Sequence, residues 1–169
     1  MTEASMMRPR ITVPALVLLM LTAHPAKNAT QSPPLGLCSV TLSNAADHSF
    51  GTPLLSTWLW PDGTIVFKPG GPGFVTGGGA LGMKFPWMRG VRGTVKITGR
   101  RLDGAAGPIR LEANDNYGEI GFQPSYLIFP KPGSWEVCAQ VGERADSRIT
   151  FVTQVVQIGE GPAWTRRLN

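Results

Sequence analysis

The segment Val91-Arg-Gly-Thr-Val-Lys-Ile-Thr98 constrains the fold of this chain more than any other. Val91, Gly93, Val95 and Ile97 are apolar or small, and Arg92, Thr94, Lys96 and Thr98 between them are polar. Successive side chains of an extended backbone point to opposite faces, so a period of two marks a strand with one face buried. Pro108–Asn114 repeats the pattern, with Ile109, Leu111 and Ala113 inward and Arg110 and Glu112 outward. Trp135–Val141 does so again, with Trp135, Val137, Ala139 and Val141 on the core side.

Between such runs lie turn residues. With 21 glycines and 15 prolines in 169 residues, short strands and many turns are expected. Pro61-Asp62-Gly63 follows Leu55–Trp60 and precedes Thr64–Phe67. Proline presets the first corner and glycine accepts a positive φ, which predicts a hairpin. Pro132-Gly133 turns the chain ahead of Trp135, and Asp103-Gly104 and Asn114-Asp-Asn116 close other segments. Candidate strands fall around 37–43, 54–60, 63–68, 80–85, 91–99, 108–114, 122–129, 134–142 and 148–158. In the last, Ile149 and Phe151 are odd whereas Val156 and Ile158 are even. A bulge near Thr153–Val155, or a strand shared between two sheets, would explain the change. These elements predict an all-β domain over 37–158, a sandwich of two antiparallel sheets, with a closed barrel as the alternative. Residues 159–169 read as a disordered tail.

The start of the chain has another character. Arg8 and Arg10 precede an uncharged run from Ile11 to Ala23, the layout of a secretory signal peptide. A membrane-spanning helix needs about 20 apolar residues, and this run is shorter and holds Pro14. Residues 1–26 are therefore expected to be removed on export, with 27–36 a linker. No later apolar run approaches spanning length, so the mature chain is not expected to be membrane-integral. Cys38 follows Leu37 and stands well past the apolar run, which argues against lipidation.

The formal net charge of +5 is mild. Lys68, Lys84, Arg89, Arg92, Lys96, Arg100, Arg101 and Arg110 are interleaved with acids, unlike the stripe of a nucleic-acid binder. Two cysteines, Cys38 and Cys138, are more often paired than free in an oxidising compartment. Strand parity opposes the pairing: Cys38 shares a face with Val40 and Leu42, an inward set, and Cys138 with Glu136 and Gln140, an outward one. Two thiols alone cannot supply a four-ligand zinc site, and the mature part holds one histidine, His48. Neither a metal nor a cofactor is expected.

Signatures of catalysis are sparse. The glycine-rich stretch 69–80 lacks the phosphate-loop pattern and reads as a flexible loop. No G-x-S-x-G elbow occurs, and His48 beside Asp47 reads as solvent-exposed. A carboxylate-based extracytoplasmic enzyme would have to draw on Asp103, Glu112, Glu119 or Glu136. Two constellations are candidates for binding. Arg100, Arg101 and Asp103 at the end of the best strand form either an anion- or partner-binding edge or an ion pair that holds a strand end. Trp87 and Arg89, within Phe85–Gly90, form either an interface anchor or a cap on the core. The expected function is that of a secreted binding or structural module for an extracellular protein or glycan, with a flat patch containing Trp87 or Trp164 as its mark.

Four segments carry a resemblance: Met83–Gly90, Ile97–Asp103, Tyr117–Ser125 and Leu127–Val137. Together they resemble a family of short secreted bacterial proteins to which no activity is assigned. The resemblance implies export and an immunoglobulin-like β-sandwich, and it brings no known site. The family pattern has Cys-Trp-Glu-Val where this chain has Ser134-Trp-Glu-Val, with Cys138 four residues after Ser134. A four-residue shift is about 13 Å along a strand, which puts the family's bridge in doubt here.

Overall fold

The structure is a computed structural model that describes residues 39–113, 116–159 and 165–166. The expected signal peptide, the linker, Cys38 and Trp164 lie outside these residues. The strands are β1 (Ser49–Gly51), β2 (Leu55–Trp58), β3 (Thr64–Phe67), β4 (Phe74–Thr76), β5 (Leu81–Arg89), β6 (Val95–Arg101), β7 (Arg110–Ala113), β8 (Gly121–Phe129), β9 (Gly133–Val141), β10 (Ile149–Gln157) and β11 (Thr165–Arg166). A single 3-10 turn, Ala145–Ser147, is the only helical element among the described residues.

Two sheets form. In the first, β5 and β8 pair along their whole length, from Leu81 against Phe129 to Arg89 against Gly121. β7 flanks β8. The other edge of β5 is divided: β4 pairs near Leu81 and Gly82, and β2 pairs at Trp87–Arg89. β1 extends β2, and β11 runs parallel beside β4. The second sheet has the order β3-β10-β9-β6, with β3 parallel to β10 and the other pairs antiparallel. The sheets are separate layers, a sandwich and not a closed barrel.

The core lies between the layers. Leu55, Ile65, Phe67, Phe85, Trp87, Leu127, Phe129, Trp135, Val137 and Ala139 have no accessible surface, and the odd positions of β9 are all buried as the alternation predicts. Phe85 stacks on Trp87 within the first sheet and on Phe151 of the second, with ring centroids 5.8 and 6.0 Å apart.

Two prolines explain the divided edge. Pro86 and Pro124 face each other across β5 and β8. Neither has an N–H, so this pair occupies a position where the two strands exchange no hydrogen bonds and each backbone turns to its outer neighbour. On the β7 side pairing ends at Ala113 against Ser125, one residue short of Pro124. On the other side β2 leaves β5 after Thr57, whose Oγ1 donates to the Pro86 carbonyl at 2.7 Å.

Several expectations are corrected. Pro61-Asp62-Gly63 is a turn, closed by Gly63 N–H to Trp60 O at 2.9 Å with Gly63 at φ 67°, but β2 and β3 belong to different sheets, so it is a crossover and not a hairpin. β10 carries no bulge: Thr153 and Val155 continue the buried odd face. The misreading came from Val156 and Ile158, apolar residues at even positions: Val156 is half-buried and Ile158 exposed, while the polar Thr153 on the buried face donates its Oγ1 to the Gly63 carbonyl. Residues 91–94 precede the strand, and Gly93 N–H bonds Glu119 O. The segment near 37–43 contributes no strand among the described residues, and Leu42, expected inward, is exposed. The glycine-rich loop contains β4, and Thr165–Arg166 of the expected tail form β11.

Candidate functional site

Of the two readings of Trp87 and Arg89, an interface anchor or a cap on the core, burial favours the second. Trp87 has no exposure, and its Nε1 donates to Ser125 Oγ at 2.8 Å. Arg89 is 3% exposed. Its guanidinium donates to the carbonyls of Gly93 (2.7 Å), Gly118 (3.0 Å), Tyr117 (3.1 Å) and Gly121 (3.3 Å). Burial pushes its pKa below the ordinary arginine value. Both residues face the core because odd positions of β5 point inward, and a partner cannot reach them.

The basic edge is built as a pair of clamps. Arg100 stands opposite Glu136 on the outer face of the second sheet and bonds it at 2.7 Å. Arg101 Nε bonds Asp103 Oδ1 at 2.7 Å, and Asp103 Oδ2 accepts the Ser134 amide at 3.0 Å. Partial burial works to raise the Asp103 carboxyl, but the Ser134 amide and the Arg101 guanidinium outweigh it and hold it below the usual range. A side chain at Gly133 would strike this pair, since a Cβ there would lie 2.5 Å from Arg101 Nε. The arrangement ties the end of β6 to the start of β9.

The four carboxylates do not converge. Asp103 and Glu136 belong to those clamps, and Glu119 pairs with Arg92 at 2.7 Å. Glu112 lines a cleft with Lys84, Tyr117 and Tyr126. No group of three or more His, Cys, Asp or Glu residues among the described residues could hold a metal ion. Cys138 is a free thiol, half-buried on the outer face of the second sheet between Thr98 and Thr150, and its expected partner Cys38 lies outside the described residues.

The outer faces of the two sheets differ. On the second, charges meet charges or amides: Lys96 with Glu143, Arg100 with Glu136, Arg148 with Gln140. On the first, Trp58, Met88, Tyr117, Ile120 and Phe122 are exposed. Contiguous exposed apolar surface marks interaction sites. Within that face, the place where β2 parts from β5 forms a shallow groove lined by His48, Trp58, Leu59, Trp60, Pro61, Lys84 and Pro86. Leu55, Thr57 and Leu59 point into the core, which turns Trp58 outward at 37% exposure. Trp60 is wedged against Phe85, ring centroids 5.3 Å apart, so the groove wall is fixed from behind. His48 forms the rim at φ 59°, the only described residue other than glycine with a positive φ. Its N–H bonds Asn44 O and its carbonyl accepts Leu59 N–H, which hold it there. Strain of this kind collects at functional sites.

Sequence reasoning passed over Trp58, Trp60 and Lys84, and took His48 only as an exposed residue. The signal was present, because period-two alternation of Leu55, Thr57 and Leu59 leaves a tryptophan on the wet face. Compared with known proteins, the chain matches no family model and no curated protein.

Proposed function

We propose that this chain is an exported, non-enzymatic binding module of immunoglobulin-like form, and that its ligand, an extracellular protein or glycan, sits in the Trp58–Trp60 groove. The observation that carries the reading is the outward-facing Trp58, beside a Trp60 packed on Phe85, at a break in the sheet edge. Large aromatics presenting an apolar face with a polar tip are enriched where proteins bind partners. Export rests on the basic and apolar start of the sequence. The immunoglobulin-like assignment is supported by topology: β5, β8 and β7 follow the order B-E-D, and β6, β9 and β10 follow C-F-G. The buried tryptophans, on β5 and β9, differ from the strand-C tryptophan of antibody domains.

The test has two parts. N-terminal sequencing of protein recovered from outside the cytoplasm should show residues 1–26 removed; Met1 or Met7 retained there overturns the signal-peptide reading. Wild-type protein and Trp58→Ala are then compared for co-sedimentation with envelope polysaccharide and envelope protein fractions of the native organism. Saturable retention of the wild type and its loss in Trp58→Ala is expected, and equal retention of both overturns the groove.

A further inference from the structure

The side chains of the groove have an unusual balance of donors and acceptors. Trp58 and Trp60 carry indole N–H donors, Lys84 carries an ammonium, and His48 adds an imidazole. No carboxylate, carboxamide or hydroxyl side chain lines it. Neutral sugars offer hydroxyls that both donate and accept, and a site for them needs acceptors of its own. Beyond one nitrogen of a neutral His48 imidazole, this groove offers no side-chain acceptor and asks its ligand to bring them. Lys84 is exposed and forms no ion pair among the described residues, whereas Arg92, Lys96, Arg100, Arg101 and Arg144 each have a carboxylate partner. Glu112 shares the neighbouring cleft with Lys84 but lies outside this groove and forms no ion pair with it, so the Lys84 charge can meet one on a ligand at the groove rim. Trp58 supplies a flat apolar surface against which the C–H face of a sugar ring packs.

From these observations the geometry points to a glycan bearing anionic groups, its ring on Trp58 and its carboxylate or sulfate on Lys84, with His48 and the indole N–H groups donating to the remaining oxygens. This rests on the reading of the groove as the binding site and deepens it. The pairing of charge across a partly open groove also makes binding weaken as salt is added.

Calorimetry on the full-length mature protein tests the assignment. The probes are a tetragalacturonate, its methyl ester, a sulfated galactan tetramer and a proline-rich peptide. The ester keeps the rings and removes the charges. The assignment expects the uronate or the sulfated tetramer to bind more tightly than the ester, and comparing those two tells which anion is read. Lys84→Gln should weaken the charged probe about two- to fivefold and leave the ester unchanged, while Trp58→Ala should abolish both. Circular dichroism confirms that each variant is folded. Equal affinity for uronate, sulfated tetramer and ester, or an equal loss on both from Lys84→Gln, overturns the anionic preference and leaves the groove standing. Binding of the peptide alone, or of no probe, overturns the glycan assignment. The groove itself falls only if Trp58→Ala also leaves retention on envelope fractions unchanged.

Discussion

At the scale of single residues, the buried Arg89 and the more open Asp103 show how charge organises the loops here. Arg89 has no carboxylate against it among the described residues; four carbonyls from Gly93 and residues 117–121 take its place, so the loop that presents Tyr117, Ile120 and Phe122 is folded around one guanidinium. Asp103 leaves a signature in pH. Its carboxyl is depressed in the fold, so the unfolded chain takes up the proton first, near its ordinary value of about 3.9. Between that value and the lower folded one the unfolded state holds more protons, and stability falls as pH drops. Urea titrations from pH 5 to pH 2 should therefore show a shallower decline for Asp103→Asn than for the wild type; parallel curves would remove the clamp from this account. Ser134, next to that clamp, has a buried hydroxyl with no hydrogen-bond partner among the described residues. A hydroxyl desolvated without compensation contributes nothing to stability, so Ser134→Ala is expected to leave the denaturant midpoint unchanged or raise it, where removal of a bonded hydroxyl would cost about 1 kcal/mol.

At the scale of elements, the prolines decided what could be read in advance. The candidate strand 80–85 stops short of Pro86, which cannot donate a ladder bond; in the structure β5 continues to Arg89, since Pro124 opposite makes the same position bond-free on both strands. A single sequence does not show which proline faces which. β4 was hidden for a similar reason. Phe74-Val-Thr76 stands among glycines, and what fixes it is the Phe74 ring lying over Gly82, its register partner in β5. A Cβ at Gly82 would sit 2.1 Å from Phe74 Cζ. Gly82→Ala should push that ring away, destabilise by about 1–3 kcal/mol, and raise hydrogen exchange at β4 more than at β9. Unchanged protection at β4 would show that the ring does not hold the strand. By contrast β9 was fully legible, because both its neighbours are strands of the same sheet and its odd face is uninterrupted core.

For the molecule as a whole, two layers enclosing an aromatic and aliphatic core follow directly from the alternation of β6, β7 and β9. The groove beside Trp58 does not, because it exists only where two segments distant in sequence part around Pro86. The same core bears on the cysteines. Cys138 lies outside it, on the wet face of β9, with Thr98 and Thr150 as its lateral neighbours. A bridge between the two sheets would have to start from an inward position, and the inward positions of β9 are filled by Trp135, Val137, Ala139 and Val141. Stability should then come from packing alone. The denaturant midpoint of protein prepared under oxidising conditions is expected to be the same with and without reductant, and Cys138→Ala to shift stability by no more than about 0.5 kcal/mol, as surface substitutions do. Alkylation of non-reduced protein followed by intact-mass measurement should count Cys138 as accessible. Loss of roughly 4–5 kcal/mol on reduction, the contribution of a bridge closing a loop of about 100 residues, would show that Cys138 is bonded and that the sandwich relies on a covalent tie as well as its core.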